Sequence, residues 1–158
     1  MAFLRCSFLF LMLIGLGLAQ AEECPPFWNR FGSHCYRFFG HNKTWQEAEN
    51  HCQMFFNRHA QGHLASIKSQ VEFNLVLTMW KTSLPPPILG LYLGGIKTDS
   101  FFSWSDDPNN GIAGFVAWLP NEPNNSGGME DCMATTVDGW NDVPCTETFP
   151  HVCKIRIE

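Results

Sequence analysis

Residues 118–142, WLPNEPNNSGGMEDCMATTVDGWND, concentrate side chains that carry oxygen atoms. This stretch lies within a longer segment, between Lys97 and Lys154, that contains no Lys or Arg. The carboxylates of that segment are Asp99, Asp106, Asp107, Glu122, Glu130, Asp131, Asp138, Asp142 and Glu147. Folded surfaces usually intersperse acids with bases. The excess therefore indicates that a counter-charge comes from outside the chain.

The residue types of this stretch suit a hard cation such as Ca²⁺. Calcium takes roughly 6–8 oxygen ligands from carboxylates, side-chain amides and backbone carbonyls. Such oxygens are present in Glu122, Asn124, Glu130, Asn141 and Asp142. Acidic loops rich in Gly and Asn are also common as solvated turns, so composition alone leaves both interpretations open.

Three short motifs follow one another in the stretch: Glu122-Pro123-Asn124, Glu130-Asp131-Cys132 and Trp140-Asn141-Asp142. Their order and spacing resemble the calcium and sugar site of the C-type lectin domain. The cysteines after residue 21, the run LYLGG at 91–95 and the segment WLP at 118–120 also fall in the order of that family. The resemblance therefore covers nearly the whole chain after residue 21.

The resemblance implies an α+β, C-type lectin-like fold, in which two helices pack on small antiparallel sheets beside a long calcium-binding loop region. It implies that Glu122 and Asn124, joined through a cis Glu122-Pro123 bond, bind one Ca²⁺ together with Glu130, Asn141 and Asp142. All of these except Asp142 would also hydrogen-bond a sugar. The order Glu-Pro-Asn is associated in the family with mannose, N-acetylglucosamine, glucose and fucose, and Gln-Pro-Asp with galactose.

Residues 1–21 have the features of a secretory signal peptide. Arg5 precedes an apolar run at 8–18, and Ala19-Gln20-Ala21 provides a small-x-small cleavage site. The apolar run is shorter than the ~20 residues that a bilayer-spanning helix needs. We therefore predict a secreted, extracellular protein with a single domain over residues 22–158, a length typical of one compact domain.

Cys6 lies in the predicted signal peptide, and an even set of six cysteines remains. In an oxidising compartment such a set predicts three disulfides, although many pairings are open from sequence. The family resemblance implies the pairs Cys24–Cys35, Cys52–Cys153 and Cys132–Cys145.

The formal net charge of −5 makes nucleic acid and anionic membranes poor partners. No later stretch is apolar over a length that predicts membrane insertion. The partners that the family resemblance implies are glycans or glycoproteins, and a homo-oligomer is left open.

Two capping boxes predict helices before the acidic stretch. The first, TWQE at 44–47, opens a helix predicted over 44–57, and the second, SQVE at 69–72, opens a helix that ends before Pro85. The residues predicted to share one face of the second helix are Val71, Leu75 and Met79.

Strand patterns occur on either side of these helices. Residues 22–40 predict a β-hairpin that carries a disulfide. Further strands are predicted at 91–96, 101–104, 133–137 and 150–157. Residues 106–114 are rich in turn formers, and the segment that continues to Glu130 has little periodicity, so an irregular functional loop is expected there.

Catalytic alternatives have weak support. His59 and His63 are four residues apart, but Gly62 and the missing third ligand argue against a zinc site. The sequence contains neither the G-x-S-x-G signature of a nucleophile nor a phosphate-binding loop. Carboxylates that hold calcium are ionised, so Glu122 and Glu130 would be unavailable as the proton donors of a glycosidase. We therefore expect a protein that is not an enzyme.

Two N-glycosylation sequons are present, at Asn42-Lys43-Thr44 and at Asn124-Asn125-Ser126. Asn42 is the candidate for modification. Asn124 is itself a predicted calcium ligand, so a glycan there would destroy the site.

The function predicted from these features is that of a secreted, calcium-dependent lectin. It would bind mannose, N-acetylglucosamine or fucose-type sugars through one calcium ion. The alternative keeps the fold but makes the protein a matrix, biomineral or venom component that binds protein or mineral, with calcium in a structural role. The complete ligand set favours the lectin, because a protein-binding relative has no need of the sugar-facing arrangement.

Overall fold

A computed structural model describes residues 23–83 and 90–157. The predicted signal peptide and the prolines at 85–87 lie outside the described residues. Within those two ranges, no helix combines the length and apolar character needed to cross a membrane.

Residues 23–83 and 90–157 form two α-helices and nine strands. In chain order they are β1 (Asn29–Phe31), β2 (His34–Lys43), α1 (Trp45–Gln53), β3 (His63–Leu64), α2 (Gln70–Ser83), β4 (Leu91–Thr98), β5 (Phe101–Trp104), β6 (Asp107–Gly111), β7 (Cys132–Thr135), β8 (Trp140–Val143) and β9 (Phe149–Arg156). The main path through the sheet runs β1-β2-β9-β4-β5-β6. Strand β3 pairs with β9, and β7 pairs with both β4 and β8. This architecture confirms the predicted α+β class with two helices, but the strands form one mixed sheet instead of small antiparallel sheets, because β4 pairs with β9 in parallel.

The first capping box is present as predicted, but its helix is shorter than expected. The Thr44 side chain accepts a hydrogen bond from the Glu47 backbone, and the Glu47 side chain accepts one from the Thr44 backbone. Helix α1 ends at Gln53, whereas the sequence predicted a helix to residue 57. The reason is a turn centred on Asn57, whose Oδ1 accepts from the backbone N–H groups of His59 and Ala60. A side chain that bonds its own backbone in this way competes with continuation of a helix.

Helix α2 exists where the sequence predicted it, and of the three residues predicted to share a face, Met79 is buried and Leu75 is half-buried. Its start at Gln70 is capped by Ser69, whose Oγ accepts from the Glu72 backbone at 3.2 Å. Val71, the third of these residues, is exposed. The buried apolar residues are Phe73, Val76, Leu77, Met79 and Trp80. Aliphatic and aromatic residues lie all round this helix, so the spacing of apolar residues alone did not identify the full set of buried residues.

The strands agree with the sequence pattern except at three places, of which the two-residue strand β3 is the shortest. Strand β6 forms within a segment predicted to be irregular, because its backbone pairs with β5 from Ser103↔Gly111 to Trp104↔Asp107. Strand β8 was also not predicted as a strand, and it pairs antiparallel with β7. Both lie in turn-rich sequence, and their pairing depends on a neighbouring strand rather than on their own composition.

The three disulfides are those implied by the family resemblance: Cys24–Cys35, Cys52–Cys153 and Cys132–Cys145. Cys24–Cys35 joins the chain before β1 to β2. The second disulfide fastens α1 to β9 across a sequence separation of 101 residues. A loop of about that length contributes on the order of 4–5 kcal/mol in the chain-entropy account of disulfide stability.

A buried ion pair fastens α2 to the sheet. The Lys154 Nζ on β9 donates to Glu72 Oε1 at 2.7 Å, and it also donates to the backbone and side-chain oxygens of Ser66. The other Glu72 oxygen accepts from the Lys68 backbone, and Tyr36 donates to the same carboxylate. Burial is the largest cause of the raised pKa of Tyr36, followed by its hydrogen bond to Glu72. The pair is thus supported by further hydrogen bonds, as a buried pair requires.

A pair of histidines packs beside the Cys52–Cys153 disulfide. His51 on α1 and His151 on β9 approach with their Nδ1 and Nε2 atoms 2.8 Å apart. The ring of Phe39 stacks on His151. Burial, and then the nearby charge of His51, lowers the pKa of His151 to about 3.

This depressed pKa predicts acid sensitivity. The unfolded chain protonates His151 below about pH 6.5, whereas the folded protein does not until the pH approaches 3. The stabilising contribution is therefore fully present above pH 6.5 and is lost as the pH falls from 6.5 towards 3. A single proton gives a slope of up to about 1.4 kcal/mol per pH unit in the free energy of unfolding.

Denaturant unfolding between pH 7 and pH 4, with calcium chelated, measures this slope. The His151→Gln variant should have a shallower slope than the parent, and His59→Gln, a change at an exposed histidine, should leave it unchanged. Equal slopes in the parent and the His151 variant would contradict the assignment.

Candidate functional site

Backbone hydrogen bonds of Trp140, on β8, fasten the start of the acidic stretch to the sheet. Its N–H donates to the carbonyl of Ala117 at 2.6 Å, and its carbonyl accepts from the N–H of Leu119 at 2.9 Å. The Trp140 ring is fully buried and packs edge-on against the rings of Trp104 and Trp118. Strand β8 therefore carries both the anchor of the loop and the next two residues, Asn141 and Asp142.

The Glu122-Pro123 peptide bond is cis, as the family resemblance implied. The Asn124 side-chain amide donates to Glu122 Oε1 at 2.8 Å, and the Asn124 backbone donates to Glu122 Oε2 at 3.1 Å. Glu122 and Asn124 are thus in direct contact, as a shared ligand-binding role requires.

Asp142 connects this motif to β8. Its carboxylate is fully buried and accepts from the backbone N–H of Asn124 at 3.0 Å and of Asn125 at 2.8 Å. Two backbone donors hold the carboxylate in one orientation, and each bond is of the strong, charge-assisted kind. Asp142 therefore positions the loop as well as contributing an acidic oxygen.

Glu130 is held by a short 3₁₀ turn at Ser126–Gly128. One oxygen of its carboxylate accepts from the Ser126 N–H at 2.6 Å. The Glu130 N–H donates to the side-chain oxygen of Asn125 at 3.0 Å. Asn125, which the sequence analysis did not name as a primary site residue, therefore organises the loop that carries Glu130. Asn125 has a left-handed backbone with φ of 49°, a conformation that Asn tolerates better than most residues. The sequence signal for its role was therefore an Asn within this turn-rich loop.

Asn141 contributes an oxygen that lacks a protein partner. Its Oδ1 atom is buried and accepts no hydrogen bond from the described residues. Buried polar atoms are nearly always satisfied, and an exception calls for an explanation such as an ion. An amide oxygen of this kind is a normal calcium ligand. The donor set at the predicted positions thus fits a hard divalent cation.

The charge of the cluster also favours a bound cation. The pKa of Glu122 is raised by partial desolvation, then by a hydrogen bond to Asp142 and by the charge of that carboxylate, with a smaller effect from Glu130. Three acidic side chains therefore repel one another around this motif. A bound cation would remove that repulsion, since it favours the ionised form of every carboxylate.

The other metal candidates are weaker. His63 lies in β3 and not on a helix, and its Nδ1 is 2.6 Å from Glu49 Oε1. His59 and His63 therefore do not share a helical face, which argues against a zinc site at these two residues. His51, His151 and Cys153 also lie close together. Cys153 is bonded to Cys52 as a disulfide, so it has no thiolate to offer.

The two sequons differ in their surroundings. Asn42 is exposed near the end of β2, where a glycan would meet solvent. Asn124 is also exposed, but its amide is bonded to Glu122 within the cluster. The structure leaves Asn42 as the candidate for glycosylation.

Comparison with known proteins places the chain among lectins. A family profile described as "Lectin C-type domain" matches residues 41–155. The chain belongs to the C-type lectin domain family. The family is one of lectins, which bind carbohydrate and are not enzymes, and C-type lectin domains generally bind calcium.

Individual relatives match most of the chain. The alpha-N-acetylgalactosamine-specific lectin of Patiria pectinifera is 38% identical, over 98% of this chain and 98% of its own length. Echinoidin of Heliocidaris crassispina is 37% identical, over 85% of this chain and 97% of its own. The crystal structure of the C-type lectin CEL-I from Cucumaria echinata superposes with a TM-score of 0.77 at 26% identity, covering 87% of this chain and 100% of that one.

The unpartnered oxygen of Asn141 yields a prediction about this C-type lectin domain. The change Asn141→Leu removes a predicted calcium ligand and also removes a buried oxygen whose missing hydrogen bond costs about 1–3 kcal/mol. We expect calcium affinity to fall at least about tenfold, while the free energy of unfolding in chelator is unchanged or higher. Titration calorimetry and denaturant unfolding measure the two quantities.

The matched control is Asn109→Leu on the exposed strand β6, which should leave calcium affinity unchanged. Retention of full affinity by Asn141→Leu would exclude this oxygen from the metal site.

Proposed function

We propose that this C-type lectin domain is a secreted, calcium-dependent carbohydrate-binding protein. The observation that carries the proposal is the Glu122-Asn124-Asp142 contact set, beside the unpartnered Asn141 oxygen. Mutually repelling carboxylates and an unsatisfied amide oxygen are the features of a site built for a cation.

The metal ligands in this proposal are Glu122, Asn124, Glu130, Asn141 and Asp142. A bound Ca²⁺ would supply direct coordination of two vicinal sugar hydroxyls. The role of Asp142 is to hold the backbone of residues 124 and 125, because both of its oxygens already accept hydrogen bonds from them. The Asp142 carboxylate thus holds the backbone of the loop and also contributes negative charge to the cluster.

The direction of hydrogen bonding supports a mannose-type sugar. Carboxylates only accept hydrogen bonds, whereas a side-chain amide also donates them. Glu122 followed by Asn124 fixes which side of a bound diol meets the acceptor and which meets the donor. In the family that the motif resembles, the order Glu-Pro-Asn is associated with sugars that have equatorial 3- and 4-hydroxyls, such as mannose, N-acetylglucosamine and glucose, and fucose in the equivalent geometry.

A second candidate is specificity for galactose-type sugars. It is favoured by the name of the Patiria pectinifera relative, which specifies alpha-N-acetylgalactosamine. That name describes the relative alone, and the residues of this chain's motif support the mannose class. Direct competition between the two sugar classes discriminates the candidates.

Secretion is supported by the disulfides as well as by the predicted leader at 1–21. Three disulfides close in the structure, and such bonds persist mainly in oxidising compartments. Glycans of other molecules are the proposed partners.

The central experiment is retention of the protein on immobilised mannose and on immobilised N-acetylgalactosamine, with calcium or with chelator. We expect retention on mannose in calcium and release by chelator. Selective, calcium-dependent retention on N-acetylgalactosamine would replace the mannose class by the second candidate. Absence of retention on both resins and on a broader glycan array would reject carbohydrate binding and favour the alternative of a protein or mineral ligand.

Exchange of donor and acceptor tests the sugar-facing residues. The double variant Glu122→Gln with Asn124→Asp keeps one carboxylate and one amide, so the charge of the cluster is preserved while the two groups change sides. We expect mannose affinity to fall roughly tenfold to a hundredfold, because a misplaced polar group costs about 1–3 kcal/mol. Competition by methyl mannoside and methyl galactoside, on calcium-loaded protein, measures the change.

The control is the double variant Glu147→Gln with Asn109→Asp, which makes the same exchange outside the cluster. It should retain mannose affinity. If the variant at 122 and 124 also retains full affinity, these two side chains do not contact the sugar.

A further inference from the structure

A second concentration of charge lies on strand β2, and its sign is opposite to that of the proposed calcium cluster. Arg37, Phe39, His41 and Lys43 follow one another at every second position of β2. His51 of α1 packs edge-on against the Phe39 ring, with centroids 4.5 Å apart. Burial, and then the charges of Lys43, His41 and Arg37, lowers the pKa of His51. These groups are therefore close to one another, and we call the five residues the basic face.

Acids do not balance the basic face. Among the described residues, no carboxylate forms an ion pair with Arg37 or Lys43. Glu47 follows closely in the chain, but the Thr44 backbone and side chain donate to its carboxylate and hold it in the capping box. Folded surfaces usually intersperse both signs, and this chain carries a net charge of −5. A local surplus of cations on an acidic chain indicates an anionic partner.

Arg37 is already oriented to meet such a partner. Its guanidinium carbon lies over the rings of Phe27 and Phe39, 5.5 Å and 4.9 Å from their centroids. A guanidinium that stacks on aromatic rings keeps N–H donors at its edge, in a fork that matches two oxygens of one oxyanion. Within the part of the chain that the structure describes, no acceptor takes a hydrogen bond from the Arg37 side chain. These donors are therefore available to a ligand.

Phe27 adds an exposed ring beside the basic face. The residue is 83% exposed, and its φ of 70° lies in the left-handed region, where a bulky residue is an outlier. A hydrogen bond of 3.1 Å from the Trp28 N–H to the Pro25 carbonyl closes the turn. Strained backbone of this kind is concentrated at functional sites. The conformation places a large apolar ring in water, in contact with the Arg37 cation.

We propose that the basic face binds a sulfated glycan chain without the help of calcium. Sulfate groups pair with Arg37 and Lys43, and the apolar C–H face of a sugar covers the ring of Phe27, which removes apolar surface from water. The row from residue 37 to residue 43 spans about 20 Å of extended strand, so it suits a chain with repeated charges. Such a chain meets this face alone, whereas a broad anionic surface such as a membrane also meets the field of a molecule whose net charge is negative.

The inference goes beyond the proposed function, because none of the proposed calcium ligands belongs to the basic face. Binding of neutral sugars at the calcium cluster and binding of sulfate groups at the basic face can therefore be measured, and can fail, separately.

The test measures binding to heparin, a highly sulfated glycan, in the presence of chelator. The protein carries Asn42→Gln, so that no glycan attached between His41 and Lys43 covers the face. We expect saturable binding that weakens as salt is added, with a slope of log affinity against log salt of about −1.4 if two cations each release one counterion. Heparin from which the sulfate groups have been removed should bind at least about tenfold more weakly.

Substitutions locate the contact. Arg37→Gln with Lys43→Gln should lower heparin affinity at least about tenfold and remove most of the salt slope, since two charge-assisted contacts are lost. The matched control is Arg58→Gln with Lys81→Gln, which removes the same net charge outside the basic face. It should stay within about twofold of the parent.

Two single changes test the geometry. Arg37→Lys keeps the charge but loses the planar fork, so it should lose part of the affinity. Phe27→Ser should weaken heparin binding about threefold with the salt slope unchanged, because it removes an apolar contact and no charge. Circular dichroism and denaturant unfolding check that each variant folds.

Several results would overturn the inference. If heparin does not bind at low salt, or if heparin without sulfate binds as tightly, the sulfate site is rejected, and retention on mannose in calcium still decides the proposed function. Equal losses in the two paired variants would assign heparin binding to the net charge of the molecule. If vesicles of phosphatidylcholine with about 20% phosphatidylserine bind and heparin does not, the face is a membrane contact. Heparin binding that follows the basic face, in a protein that no neutral sugar retains, would reject the proposed function and support this inference.

Discussion

The buried ion pair between Lys154 and Glu72 is the contact on which the arrangement of the scaffold depends. Both side chains are about 5% exposed, and an ionised group at such a position is strongly unfavourable without its partner. The two groups also hydrogen-bond Ser66, Lys68 and Tyr36. Helix α2 can therefore pack on β9 only in the position that closes this network.

Strand β9 connects both helices and three other strands. It pairs with β2, β3 and β4, and it carries Cys153, which is bonded to α1. The disulfide fastens α1 to β9, and the ion pair fastens α2 to β9. The loops beyond β4 are left free of these constraints, and they carry the candidate site. Division of this kind, in which a rigid scaffold positions variable loops, is common among binding proteins.

Order in the site depends on Asp142 more than on regular structure. The segment from Trp118 to β7 contains one short 3₁₀ turn, and side chains satisfy several of its backbone N–H groups. Asp142 and Asn125 accept from N–H groups of the loop, and Glu130 accepts from Ser126. Acidic residues thus have two tasks here, because the same carboxylates that fix the backbone also concentrate negative charge. Desolvation, and then the hydrogen bond to Asp142 and the charge of that carboxylate, raise the pKa of Glu122.

By itself the sequence determined the elements whose signals are local. The capping residues Thr44 and Ser69 mark the starts of both helices, and the apolar runs of β4 and β5 mark strands, because caps and periodicity act over a few residues. The Glu-Pro-Asn motif with its downstream partners likewise indicated the site residues and the family. Only the tertiary structure decided which face of α2 is buried, since Val71 and Phe73 are both apolar and only the surrounding core distinguishes them. It also decided the pairing of β6 and β8, the organising role of Asn125 and the isolation of the Asn141 oxygen. The buried face of α2 depends on contacts between residues distant in sequence. The pairings of β6 with β5 and of β8 with β7, and the bond between Asn125 and Glu130, join residues close in sequence, but their turn-rich composition gives no strand signal.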